Sequence, residues 1–337
     1  MKTTINDPSK NDRSWEKVVT KYHHPNLLKS IWQICNSLIP YIAMWYLMYR
    51  SLEYSYLITL ALSFLACGFL IRLFIIFHDC GHGSFFRSKK ANDIVGMACG
   101  ILAFTPYNKW HEQHHTHHAT SGNLDKRGVG DVWTLTVDEY LKSSKWKRFL
   151  YRAFRDPFIM FTFGPVFVIF VQNRMIKSRM SKPEKWNVHF TNLMILLMSA
   201  SISLIIGFKA FLLIQLPIIV ISHAIGLWLF YIQHQFDDVS WERQEDWDYK
   251  TAAIHGSSFL KLPVVFQWFT GNIGFHHVHH LSSKIPNYNL AHCHYENEIF
   301  RNIKPVRLMS TFKALRLGLW NETTRKMISF RKLAVMH

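Results

Sequence analysis

The chain has 337 residues, 49% of them hydrophobic and 15% aromatic, and carries a formal charge of +17 with histidine neutral. Its charges stand mostly outside long apolar runs, which argues against an ordinary soluble domain and for a membrane protein with basic segments facing anionic headgroups. It contains no nucleic-acid-binding module, so the basic excess is assigned to the membrane surface.

Residues 1–30 form a polar arm, without the apolar stretch of a secretory signal. Residues 31–49 carry no charge, and residues 54–77 carry only Arg72. About 20 apolar residues cross a bilayer core as a helix, so 31–77 is predicted as a tight transmembrane hairpin with its turn at 50–53. Pro40 is expected to kink the first span, and Arg72 to snorkel to the interface. Two shorter runs, 94–107 and 158–171, are expected as interfacial or partly inserted helices, the second broken at Gly164-Pro165. A second hairpin is predicted over 190–232, from spans 190–207 and 211–232 joined by a turn that carries Lys209. Pro217 and His223 interrupt its last span.

Charge sets the topology. Arg87, Lys89 and Lys90, then KSSKWKRFLYRAFR (142–155) and RMIKSRMSKPEK (174–185), make the long loops basic, as are the N-terminal arm and the stretch from Arg301. The positive-inside rule then places both termini, 78–189 and 233–337 in the cytoplasm. The expected fold is an all-α integral membrane domain: four transmembrane helices in two hairpins beneath a cytoplasmic helical cap.

Five cysteines, an odd number without a CxxC pair, read as reduced thiols and exclude a disulfide frame or zinc ribbon. Histidine is the informative residue. Eleven of twenty fall in three windows, 78–82, 111–118 and 276–280. HDCGH sets His78 and His82 at i, i+4, on one helical face. WHEQHHTHH holds two overlapping triplets, His111/His114/His115 and His114/His117/His118, between which spacing does not choose. HHVHH sets His276, His279 and His280 at i, i+3, i+4, with His277 about 100° away, placed to support a ligand rather than act as one. His23, His24, His189, His292, His294 and His337 are assigned no catalytic role, and His223 and His255 a structural one. So many imidazoles at metal spacing on one membrane face suggest two metals. Imidazole suits iron, copper, zinc and nickel alike, and an apolar membrane setting favours oxygen activation by non-haem iron.

HDCGH, the second histidine window followed by ATSGNLDKRGVGDVWTLTVDEY (119–140), and GNIGFHHVHHLSSKIPNY (271–288) resemble the membrane fatty acid desaturases. The likeness runs from about residue 31 to about residue 288 and is nearest to bacterial acyl-lipid desaturases of the Bacillus phospholipid type. It implies that the triplet directly before ATSG, His114/His117/His118, is the ligand set of the second window. It also implies a ninth ligand, His234, in the YxQH context of Tyr231 to His234. The implied ligands and catalytic residues are therefore His78, His82, His114, His117, His118, His234, His276, His279 and His280, holding two iron ions with O2 as co-substrate.

The reaction implied is insertion of a cis double bond into the acyl chains of membrane phospholipids. A Δ5 position follows from the Bacillus likeness, with Δ9 and Δ12 as alternatives. The family draws electrons from ferredoxin, flavodoxin or cytochrome b5. No fused iron–sulfur motif is visible, so an external ferredoxin- or flavodoxin-type donor is expected, steered by the basic face. Asp79, Glu112, Asn123, Asp125, Asp131 and Asn272 are candidates to orient ligand rings. Trp110, Trp133 and Trp268 are candidates to line an acyl channel or anchor at the interface. The competing functions are a lipid or alkane hydroxylase of the same superfamily and, from another class, a histidine-rich metal transporter.

Overall fold

The computed structural model describes residues 14–336; the start of the expected N-terminal arm, 1–13, and His337 lie outside the described residues. After a short helix α1 (Ser14–Thr20), α2 (Leu27–Ser51) is capped by Asn26, whose side chain accepts from the Lys29 amide. Ser55 caps α3 (Tyr56–His82) in the same way, and the two helices fold back on each other. α2 turns Gln33, Ser37 and Tyr41 inward and leaves Trp32, Ile39, Ile42 and Tyr46 outside. Both helices run on through the expected span boundaries, and α2 continues through Pro40.

α4 (Lys89–Leu102) lies along α3, its Gly96 and Gly100 beneath Tyr107 and Phe77. α5 (Tyr107–Thr120) follows, then β1 (Leu135–Thr136) and α6 (Val137–Lys142), which opens on a Thr136/Glu139 capping box. α7 (Lys145–Arg155) meets α8 (Pro157–Phe167) at an 82° bend, and α8 continues as a π turn over Val168–Gln172. Asp156 caps α8 and Pro157 opens it, a pairing that starts a helix abruptly. α9 (Lys182–Ile206) and α10 (Phe208–His234) form the second hairpin around Gly207.

The remaining helices are short: α11 (Tyr249–His255), α12 (Val264–Phe269), α13 (His276–Leu281), α14 (Asn287–Glu296), α15 (Leu308–Ala314) and α16 (Phe330–Met336). Between them run β2 (Phe259–Lys261), β3 (Pro305–Arg307), β4 (Leu317–Asn321) and β5 (Lys326–Ser329). These small strands depart from the all-helical expectation. β1 pairs parallel with β4, β4 antiparallel with β5, and β2 parallel with β3. They tie the C-terminal segment to the chain between α5 and α6 and to the chain between α11 and α12.

Among the described residues, α3, α9 and α10 are long and apolar enough to cross a membrane, and α7 with α8 would make a fourth if that bent pair were one span. α2 is not in this set. Its lack of charge predicts a span, but its inward polar stripe of Gln33, Asn36 and Ser37 lowers its hydropathy. Arg72 also departs from expectation. It is 8% exposed, with its guanidinium 3.9 Å from the Trp268 ring centre. It donates to the Trp268 carbonyl and, at 3.4 Å, to Asn36 Oδ1, so it ties α3 to α12 and α2 instead of reaching the interface.

Candidate metal centre

Four elements carry the histidine windows. α3 ends at His82 because Gly83, at φ 64°, adopts the left-handed closure and the Ser84 amide returns to the Asp79 carbonyl. His78 and His82 thus occupy the capped last turn of α3. α5 presents His114, His117 and His118, α10 ends on His234, and α13 is a single turn built of His276 to Leu281. Gly271 and Asn272, at φ 51° and 59°, reverse the chain between α12 and α13. A side chain at Gly271 would meet Ile75 Cγ2 at 2.7 Å, so only glycine lets this turn sit against α3.

The nine histidines meet in two groups: His78, His82, His114, His118 and His279, and His117, His234, His276 and His280. Within each, the ligand atoms lie within 4.8 Å of one another. In the first, His78–His114 and His114–His118 approach Nε2 to Nε2 at 3.1 Å, and His118–His279 at 3.0 Å. In the second, His234 meets His117 and His276 at 3.0 Å, and His276 meets His280 at 3.1 Å. α5 and α13 serve both groups, α3 only the first and α10 only the second.

Outer hydrogen bonds decide which nitrogen faces inward. His117 Nδ1 donates to Asp131 Oδ1 at 2.6 Å, His78 Nδ1 to Asp79 Oδ1 at 3.2 Å, and His234 Nδ1 to the Gly256 carbonyl at 3.3 Å. In neutral rings this leaves lone pairs on Nε2. The His117 and His234 lone pairs then face each other at 3.0 Å, which is repulsive unless a cation lies between them. His82 Nε2 is buried with no hydrogen-bond partner. Two nitrogens at right angles on a metal with bonds of about 2.1 Å are about 3.0 Å apart, so the observed edges suit a metal ion in each group. Burial, then neighbouring imidazoles, push His114, His118, His276, His279 and His280 well below the ordinary histidine value. They are neutral at pH 7, as metal ligation requires.

His111 and His115 stand outside both groups. His277 turns away and meets His294 Nδ1 at 2.9 Å in a buried pair ringed by Phe259, Phe275 and Phe300. His223 bonds the Ile219 carbonyl inside α10, and His255 ends α11, neither in a group. Of the residues expected to orient rings, Asp79 and Asp131 touch ligands. Glu112 is exposed, Asp125 pairs with Arg243, Asn123 caps a turn and reaches Gln244, and Asn272 bonds the Asn287 carbonyl. Trp110 stacks on His114 at 4.3 Å, whereas Trp133 packs on Tyr151 and Phe154, and Trp268 on Arg72.

Sequence reasoning missed the groups behind these carboxylates. Asn287 gives Asp79 Oδ2 two hydrogen bonds, from its amide at 2.7 Å and its Nδ2 at 2.9 Å, and exchanges two more with Gln33 of α2. Arg155 holds Gln235, beside His234, at 2.9 Å, and Gln235 in turn donates to Thr134. The nearest signal is the PNY tail of the third motif, which contains Asn287.

Comparison with known proteins agrees with this geometry. The family model described as "Fatty acid desaturase" matches residues 55–306. The chain is 48% identical over 317 residues to a protein named "Fatty acid desaturase" of Bacillus subtilis (strain 168), covering 94% of this chain and 90% of that protein. It is 28% identical over 239 residues to an "sn-1 acyl-lipid omega-3 desaturase (ferredoxin)" of Nostoc sp. (strain 36), covering 65% of this chain and 61% of that protein. To an "sn-1 oleoyl-lipid 12-desaturase" of Synechocystis sp. (strain ATCC 27184 / PCC 6803 / Kazusa) it is 25% identical over 230 residues, covering 66% and 63%. The match spans three quarters of the chain and contains every histidine of both groups: the chain belongs to the fatty acid desaturase family and is an oxidoreductase.

Proposed function

We propose that this protein inserts a cis double bond into the acyl chains of membrane phospholipids. The nine grouped histidines hold two iron ions, and electrons come from a separate ferredoxin- or flavodoxin-type donor. The observation that carries the reading is the convergence of nine histidine ring nitrogens in two groups, where α3 and α10, two long apolar helices, meet α5 and α13. Bound iron supplies the oxidising power, drawn from O2, that removes two hydrogens from neighbouring methylenes. The chain's own residues hold the rings, fix their tautomers and exclude water. His117, His234, His276 and His280 are all at least nine-tenths buried, and Phe230 packs on both His117 and His234.

α2 joins α3, α9 and α10 as the fourth span. Its 25 residues reach about 38 Å, and its outward face of Trp32, Ile39, Ile42 and Leu47 is apolar. Leu193, Leu196, Leu204 and Ile205 of α9 also face outward, as lipid contact requires. The basic loops support a cell-membrane protein with its metal centre and both termini in the cytoplasm. The Nostoc relative's name specifies acyl-lipid and ferredoxin, and it supports the substrate class and donor proposed here.

Expression in a host that lacks desaturases, with double-bond mapping of its lipids, tests the reading. The expected product is two mass units lighter than the saturated chain and unsaturated at Δ5; Δ9 or Δ12 would reassign the position. A product heavier by one oxygen would make the protein a hydroxylase. His117→Ala is expected to lose the iron held by its own group, and unsaturation with it.

A further inference from the structure

α7 is KWKRFLYRAFR, with four aromatic and five basic residues and no acid. Its inward face is accounted for. Tyr151 donates to the Gly318 carbonyl, and Arg155 donates to Gln235 and the Leu317 carbonyl, so α7 lies on the cap beside β4. The opposite face is not. Trp146, Phe149, Leu150 and Phe154, at i, i+3, i+4 and i+8, are 67%, 59%, 43% and 40% exposed, and the Trp146 and Phe149 rings stack at 5.4 Å. This apolar surface continues past the 82° bend into Phe158, Phe163 and Phe167 of α8, which packs on α10.

The charges are placed against the interest of the helix itself. Lys145, Lys147 and Arg148 sit in its first turns, where the helix dipole disfavours cations, and no acid stands there to offset them. The Lys145 and Lys147 side chains are exposed. A helix with aromatic residues on one face and lysines beside them lies in the plane of an anionic leaflet, its rings at the acyl boundary and its ammonium groups on phosphates.

We propose that α7 is an anionic-lipid-binding helix that rests on the cytoplasmic leaflet. Trp146, Phe149, Leu150 and Phe154 are inserted at headgroup depth, and Lys145 and Lys147, which flank them, bind lipid phosphates. The proposal rests on the membrane reading above and adds a site and a ligand class to it: phospholipids with net negative headgroups. Continuity with α8 and charge complementarity select lipid over a second copy of the chain. Seating α7 on the leaflet also sets the height of Arg155, and through it Gln235 next to His234, above the bilayer.

The full-length protein in nanodiscs tests this. Trp146 is isolated by the difference in fluorescence between wild type and W146F, with phosphatidylcholine brominated near the carbonyl end as quencher. Trp186, 58% exposed at the start of α9, serves as the insertion control through W186F. Trp146 is expected to be quenched as strongly as Trp186. Retention of phosphatidylglycerol over phosphatidylcholine, read by mass spectrometry of bound lipid, is expected to fall roughly threefold or more in K145Q/K147Q. Trp186 quenched with Trp146 unquenched overturns the proposal while leaving the membrane reading intact; neither quenched overturns both. Unchanged lipid preference in K145Q/K147Q overturns the anionic specificity. Trp146 shielded from lipid, with a dimeric mass that W146F disrupts, would give this face to a second copy instead.

Discussion

Asp131 makes a 2.6 Å hydrogen bond to His117 Nδ1, and both side chains are almost wholly buried. Its carboxylate fixes the ring's tautomer and orientation, so Asp131→Asn should keep the fold and weaken metal binding roughly 10- to 100-fold. Chelator titration of the purified protein with metal readout checks this; unchanged affinity would remove Asp131 from the site. The neighbouring rings predict a pH dependence. In the folded protein, burial depresses His114, His118, His276, His279 and His280 far below the ordinary value of 6.5. Above 6.5 neither folded nor unfolded chain binds these protons. Below it the unfolded chain takes them up and the folded chain does not, so stability falls as pH falls. The metal-stripped protein should therefore lose thermal stability steeply between about pH 7 and pH 5; the metal-loaded protein, its rings equally unprotonated, should unfold at a higher temperature throughout and fall at least as steeply. A flat profile would show that the rings are not held neutral.

At the scale of elements, the helices that carry chemistry were legible because each declares itself within one or two turns. The i, i+4 pair on α3 and the i, i+3, i+4 triplet on α13 need only helical periodicity to be read. α5 was harder: two triplets overlap there, and what separates them is the contact of His114, His117 and His118 with α3, α10 and α13. The supports were illegible for the same reason. Asn287 lies 208 residues from Asp79, and Arg155 lies 80 from Gln235. Hydropathy also misjudged Arg72, because its partner Trp268 comes 196 residues later. α12 and α13, two short helices joined by two left-handed residues, leave only the Gly271-Asn272 pair as a sequence signal. Gly271→Ala tests that joint. It forces a side chain into a φ of 51° and against Ile75, at a cost of about 1–3 kcal/mol. The expected result is a lower unfolding temperature and loosened metal, since α13 carries three of the rings. Asn272→Gly, which relieves positive φ, should be tolerated better.

At the scale of the whole molecule, the two histidine groups are cross-links between segments far apart in the chain. The first joins α3, α5 and α13, and the second joins α5, α10 and α13. α3 and α10 pack on each other and belong to different hairpins, so metal in both groups clamps the two hairpins through α5 and α13. Because α3 supplies only one group and α10 only the other, the groups can be disabled separately. His82→Ala removes a ring whose inward nitrogen has no other partner and should leave the second group able to hold its ion. His234→Ala removes the ring that meets both His117 and His276 and should spare the first. Each variant is expected to fall from two metal ions per chain to one, with activity abolished in both, and the double variant should fall to none. Metal analysis of detergent-purified protein, with unfolding temperature as the second readout, gives the count. Loss of both ions in either single variant would mean that the two groups form one cooperative centre, since α5 and α13 would then fail to hold their rings without both ions.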